Sequence, residues 1–350
     1  MNGGGTPFRR YSIIVAASIV PLVIAIIVLT GYQFFLQRDQ LLEELRNEAK
    51  APDVLLGSVT KSVADQVRAL ATWTSIYLDE PPPQQEEPFG RSPATFGSKG
   101  FGRTAAEASA GEADFLAEPD AERGAAQRLV PHMRLAHQAM PYLRRSYYLS
   151  GEQDFLNVFP MHEDAGFGGR LSNATEADLL ALIFGQDLFQ SGLVASDGNG
   201  RAYWTKAHRD PEGSGWVVAH GVPISAEGAL TGVVGSTVLL DFLSGFLRAF
   251  DYQTGQLWLV NEHDQVLASS ERTGQGLRVR TLEEVLPASL RGLGSETLLQ
   301  PSVGFRQIGD QFVLAQPVAS SPWSLLFVVS TAALNEVLLP RFIPYGIILL

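Results

Sequence analysis

Residues 11–35, YSIIVAASIVPLVIAIIVLTGYQFF, carry no charged side chain. A helix of about 20 apolar residues spans the hydrocarbon core of a bilayer, so this stretch is long enough to cross one. It constrains the rest of the chain, because a polypeptide anchored at one end must build its core on one side of a membrane. A cleaved signal peptide competes with this reading, but its apolar region is shorter, ~7–15 residues, and ends at a small-residue cleavage site. Arg9 and Arg10 precede the stretch and Arg38 lies just beyond it. The positive-inside rule then makes residues 1–10 a cytoplasmic tail and residues 11–35 a first transmembrane helix, with the remainder outside. Pro21 falls mid-span, where membrane helices tolerate a kink.

Beyond the span, apolar positions recur every three or four residues: Leu41, Leu45, Ala49, Pro52, Leu56, Val59, Val63, Val67, Leu70, Thr74 and Tyr77. This predicts an amphipathic helix over residues 36–78, read as a stalk. Joined to the span it would form a rod ~100 Å long at ~1.5 Å per residue. Its apolar stripe serves equally as a dimer seam or as the face that packs on an outer domain. Pro52 removes one backbone donor and is able to break the helix there.

The outer part has room for two domains in a chain of 350 residues. A net charge of −11 sets nucleic acid aside as a partner, since phosphates demand a basic face. With no cysteine, disulfides, thiolate metal sites and cysteine nucleophiles are excluded. Nothing else points to a cofactor or a metal. His132 and His137 lie five apart, a spacing that does not share one helix face, and read as surface histidines.

Residues 79–122 turn rich in Pro, Gly, Ser and charge, the composition of a flexible insertion. GSKGFGRT within it lacks the spacing of a phosphate loop. A helical pattern covers residues 125–145, limited by Pro131 and Pro141. Residues 146–150 and 155–159 then read as a hairpin around GEQD. Next come a Gly-rich loop, HEDAGFGGR, and a helix over residues 174–190. A second hairpin is expected from residues 216–224 and 229–240 around SAEG. The pattern then restarts: residues 255–270 offer strand, turn, strand, TLEEVLPASL a short helix, and residues 311–330 another strand pair. SYYLSGEQDFLNVFP aligns in order with LWLVNEHDQVLASS, and WVVAHGVPISAEGALTGVVGSTV with FVLAQPVASSPWSLLFVVST. This implies a duplicated α+β unit with antiparallel sheets, residues 123–250 forming a membrane-distal lobe and residues 251–335 a membrane-proximal one. Residues 336–350 end apolar and read as the start of a second transmembrane helix, cut short.

The candidate site is the lead-in to the second hairpin, where Tyr203, Trp204, Thr205, Lys206, His208, Arg209 and Asp210 crowd ahead of a Pro-containing turn. The second repeat lacks it. Arg144 and Arg145 add cations at the start of the first hairpin. If these cations face inward they favour an anionic ligand such as an organic acid, and if outward they are a solvated surface.

YWTKAHRD, then VPIS, then LTGVVGSTVLLDFL resemble a run of motifs in the double Cache (PDC-like) extracytoplasmic sensor domains of bacterial transmembrane receptors. The resemblance covers residues 37–340 apart from the insertion. It implies two tandem PAS-like lobes behind a long membrane-anchored N-terminal helix, a small-molecule ligand in the distal lobe, and Tyr147 and Tyr148 on a strand facing the pocket. Thr237 stands where many members have an Asp that grips a ligand amine, which turns the expectation from an amino acid toward an organic acid. Ligand-binding residues expected on this basis are Arg145, Tyr147, Tyr148, Tyr203, Trp204, Thr205, His208, Arg209, Asp210 and Thr237. The resemblance further implies a homodimer in a bacterial inner membrane, with a histidine kinase output or, alternatively, a diguanylate cyclase. An anchored enzyme or a ligand-free scaffold are the other readings. Against the enzyme, no GxSxG or HExxH pattern is present.

Overall fold

The computed structural model describes residues 6–80, 94–97, 121–160, 176–197, 200–210, 215–226, 228–250, 252, 254–271 and 278–347. Most of the expected insertion, GSKGFGRT included, and the Gly-rich loop at 161–175 lie outside them.

The chain starts with one helix, α1 (Thr6–Asp79), about 110 Å long at ~1.5 Å per residue. It runs through both Pro21 and Pro52. Continuity at Pro52 differs from the break its missing donor would favour, and packing explains it: Ala49, Pro52 and Leu56 are all buried, so tertiary contacts hold the turn that the hydrogen bond does not. Of the stripe read from the sequence, every position from Leu41 to Thr74 is buried and Tyr77 is half-buried. The helix therefore packs along both lobes rather than standing free of them. By contrast Ile19, Val20, Leu22, Val23, Ile24, Ile27, Val28 and Leu29 are exposed, and this part of α1 is long and apolar enough to cross a membrane by length and composition.

The distal lobe is a seven-stranded antiparallel sheet. Its strands are β1 (Ala94–Gly97), β2 (Leu143–Ser150), β3 (Phe155–Phe159), β4 (Tyr203–Trp204), β5 (His208–Arg209), β6 (Trp216–Ala226) and β7 (Ala229–Leu239). The order is β1-β3-β2-β7-β6-β4, with β5 also on β6. Two short helices, α2 (Ala121–Arg128) and α3 (Val130–Ala139), lie with α1 against one face. On the other face sit α4 (Glu176–Phe184) and α5 (Asp187–Asp197), packed on Tyr147, Leu149, Leu156, Val158, Ala219 and Val233. The helix expected over residues 125–145 ends at Ala139, and Leu143 to Arg145 already belong to β2. Pro141 biases Met140 away from helical backbone, and Met140 has φ −128° and ψ 83°.

α6 (Leu240–Ala249) leads to the proximal lobe. There β8 (Gln256–Val260), β9 (Gln265–Ser269), β10 (Arg280–Thr281), β11 (Arg306–Ile308), β12 (Gln311–Pro317) and β13 (Ser324–Ser330) form a six-stranded sheet in the order β10-β9-β8-β13-β12-β11. Single-turn helices α7 (Leu282–Val285) and α8 (Ser295–Leu298) cover its outer face around Trp258, Val260 and Leu326. Stripped of β1, β5 and β10, the two sheets have one strand order: β3-β2-β7-β6-β4 and β9-β8-β13-β12-β11. The two pairs of segments aligned by sequence occupy the same places in the two lobes. The architecture is α+β, a long N-terminal helix with two tandem antiparallel lobes. α9 (Thr331–Ile347) continues from β13 and returns alongside α1.

Candidate functional site

A strand sends successive side chains to opposite faces, and β2 departs from this once. Its register against β7 shifts between Leu143 and Arg145. Such a bulge re-aims side chains, and here it lets two consecutive arginines reach one carboxylate. Arg144 Nε lies 3.4 Å from Asp210 Oδ2 and Arg145 Nη1 3.3 Å from Asp210 Oδ1. The Arg145 side chain is fully buried and that of Asp210 is 2 % exposed. Asp210 is fixed by its own backbone, whose N–H donates to the Gly215 carbonyl. Burying charge costs several kcal/mol per ion, so the pairing must offset a large desolvation penalty.

Around this cluster the α5-covered face continues with Thr237, paired in register with Arg145, and with Tyr147 two residues on. Thr237 Oγ1 donates to the Arg145 carbonyl at 3.4 Å. Burial pushes the Tyr147 phenol up, so it stays a neutral donor. Tyr203 lies opposite Gly221 on β6, and its hydroxyl donates to the Leu188 carbonyl of α5. Its ring takes the space that a Cβ at Gly221 would fill, 2.5 Å from the ring. Gly235 allows Leu188 the same close approach, with a Cβ there only 2.8 Å from the leucine. These glycines let α5 and Tyr203 close down on the sheet.

The remaining expected residues go elsewhere. Tyr148 faces away from Tyr147, as alternation requires, and donates to Glu122 Oε1 at 2.8 Å while stacking on Phe155 beneath α2. Thr205 is a buried strand fixture whose Oγ1 accepts from the Ala219 N–H. His208 Nδ1 pairs with the Lys206 carbonyl 3.0 Å away, and Arg209 is exposed with its guanidinium over the Trp216 ring. Trp204 points to the opposite face from Tyr203 and leaves the lobe altogether. Its Nε1 donates to the Ser320 carbonyl of the proximal lobe at 3.3 Å, and its ring centroid is 4.5 Å from that of Trp323. The aromatic and charged segment thus supplies Asp210 to the charge cluster, holds α5 through Tyr203 on one side and joins the lobes through Trp204 on the other.

Sequence reasoning missed three participants. Asp187, Leu188 and Gly192 of α5 form the outer wall, and an amphipathic helix preceding the candidate segment was the signal available. The two histidines read as surface are both partnered: His132 Nε2 meets Tyr77 Oη at 2.8 Å, and His137 Nε2 meets Ser146 Oγ at 3.2 Å. Ser146 Oγ in turn meets Ser236 Oγ at 2.8 Å, tying α3 to β2 and β7. Among the described residues no group of three or more His, Asp or Glu is placed to hold a metal.

No protein family profile matches the chain, and no curated protein does either. Solved structures do show likeness. The ligand-binding domain of the Pseudomonas aeruginosa amino-acid chemoreceptor PctC, in complex with GABA, is 16% identical with a TM-score of 0.48, over 82% of this chain and 100% of that one. The corresponding domain of PctB from the same organism, in complex with L-Arg, is 12% identical with a TM-score of 0.49, over 84% and 97%. The domain of the Campylobacter jejuni chemoreceptor Tlp3, in complex with L-norvaline, is 12% identical with a TM-score of 0.47, over 85% and 94%. All three are ligand-binding domains of chemoreceptors, at low identity and with TM-scores below 0.5.

Proposed function

We propose that the chain is the extracytoplasmic sensor part of a membrane-anchored receptor, and that its distal lobe takes a small organic acid beside Arg145. One observation carries this reading: the buried cluster of Arg144, Arg145 and Asp210 has no counterpart among the described residues of the duplicated lobe. At the position of Arg145 the proximal sheet has Gln256, paired with Val328 where the distal sheet has Thr237. Gln256 is exposed and uncharged, and Trp258, Val260, Leu326 and Val328 build the buried part of that side, so the fold itself does not require buried charge there. A buried guanidinium presents fixed donors that match a carboxylate in two-point geometry. Tyr147 and Thr237 add neutral hydroxyls on the same face. Thr237 supplies no carboxylate for an ammonium, which sets an organic acid ahead of an amino acid.

The exposed apolar turns of α1 supply the anchor, with the bacterial inner membrane as the compartment and a homodimer as the working unit. A histidine kinase is the proposed output, with a diguanylate cyclase as the alternative; both rest on the family resemblance alone. Assays of the full gene product for ATP-dependent histidine phosphorylation and for cyclic dinucleotide synthesis decide between them.

The ligand reading is tested on the full chain in nanodiscs by thermal shift against mono- and dicarboxylic acids and amino acids. An acid that raises the melting temperature of the wild type, and no longer does so in Arg145→Gln or Thr237→Val, supports it. A response to amino acids alone overturns the ligand class. A response to none of the panel favours a scaffold.

A further inference from the structure

The segment that supplies Asp210 to the charge cluster is also the one that holds the other lobe. In the extended backbone of 203–205, Tyr203 faces α5 and Trp204 the opposite side, so neither moves independently of the other. Trp204 engages the turn between β12 and β13. Ser320 accepts its N–H, and Trp323 packs on its ring. His220, the cross-strand partner of Trp204, meets that ring edge-on with centroids 4.8 Å apart. A second tie lies close by, where the Ala207 N–H donates to Gln265 Oε1 at 2.8 Å.

The turn is also gripped from its far side. Thr60 of α1 donates to the Ala319 carbonyl at 2.6 Å, and a Cβ on Gly57 would stand 3.3 Å from that of Ala319. Ser320 itself has φ +61°, a left-handed conformation that costs a non-glycine residue of order 1 kcal/mol and persists only where surroundings impose it. From Trp323 the chain enters β13 and then, without a loop, α9.

We infer that the β12–β13 turn is the coupling element of the molecule, with Trp204 as the latch by which the state of the Arg145–Asp210 cluster reaches β13 and α9. This deepens the sensor reading and rests on it for its biological meaning, although the mechanical coupling is measurable without a ligand. A ligand that displaces Asp210 pulls on the short segment 204–210, which carries Trp204 at its other end. A turn held in a strained conformation between two grips has discrete arrangements available rather than a continuous range.

Hydrogen exchange on the full chain in nanodiscs tests the inference through a cycle of wild type, Asp210→Asn, Trp204→Leu and the double variant. Asp210→Asn alters the distal cluster, and the exchange of turn amides relative to core amides of β8 separates its local effect from the global loss of stability. The substitution is expected to speed exchange of the Val318 amide, which donates to the Trp323 carbonyl, and of its neighbours in the turn by about fivefold, equivalent to roughly 1 kcal/mol of local stability. In the Trp204→Leu background the same change is expected to have no more than about a twofold effect. Unchanged exchange in the turn on Asp210→Asn, or an equal rise without Trp204, overturns the inference. Should Trp204→Leu not fold, Trp204→Phe, which keeps a ring but loses the N–H to Ser320, and Trp323→Leu complete the cycle. An organic acid that raises the wild-type melting temperature is run as a parallel arm. If no acid does, the ligand reading fails while the variant cycle still decides the coupling.

Discussion

Two residue types decide how this protein answers to charge. Asp210 sits between two guanidiniums in a site nearly closed to water, and removing one partner of such a cluster leaves buried charge uncompensated. Asp210→Asn is expected to cost about 3 kcal/mol, read as a shift of the urea midpoint at unchanged slope. His137 and His220 act in the opposite sense, being held neutral by burial with pKa values of about 4 against 6.5 when free. Arg68 adds to the depression at His220. Between pH 6.5 and about 4 the unfolded chain takes up protons that the folded chain refuses. Stability from these groups is therefore complete above that window, falls as the pH drops through it, and levels off below. At pH about 5 the loss is expected to reach about 1–2 kcal/mol per histidine. Thermal melts at neutral and acid pH check it, and His220→Gln should flatten its part of the slope.

Among the elements, the ones read correctly are those whose periodicity matches their burial. The stripe of α1 is buried as predicted, because a helix lying across two sheets keeps a single inward face over its whole packed length. Leu70→Ala is expected to cost about 2–5 kcal/mol, whereas Val54→Ser on the exposed side of the same helix should stay within about 0.5 kcal/mol. Chemical denaturation distinguishes them. What periodicity does not show is a close approach of one element to another. Gly221 carries no signal in the sequence beyond being a glycine in a strand, yet the Tyr203 ring occupies the place of its side chain. Gly221→Ala is expected to cost about 1–3 kcal/mol, and a smaller residue in Tyr203→Leu should relieve part of that cost in the double variant. A bulge is equally hidden. Arg144 and Arg145 read as neighbours on opposite faces until the register shift turns both toward Asp210.

At the scale of the molecule, one helix serves two solvents. Its first half exposes Ile24, Ile27 and Leu29, and its second half buries Leu41, Val63 and Leu70. With that first half in a bilayer, lysines at Val23 and Ile27 would each raise the insertion cost by about 2.5–3.5 kcal/mol. The double variant is expected to leave the membrane fraction on alkaline carbonate extraction while the wild type stays. A wild type extracted by carbonate overturns the anchored reading. The two lobes share one apolar core along α1, so a wild-type chain that unfolds in two well-separated transitions would contradict the packing.

The sequence alone determined the apolar helix, the succession of the main hairpins along the chain and their duplication, since these depend on local periodicity and on patterns repeated along the chain. It also brought Arg145, Tyr147, Tyr203, Asp210 and Thr237 forward as candidates. Only the tertiary structure decided which of them meet. Tyr148 and Trp204 share the composition of their neighbours but lie on the other face of the sheet, and the partner of Trp204 is a turn 116 residues away. Pairing across such a distance is set by how the lobes dock on α1, and no local pattern records it.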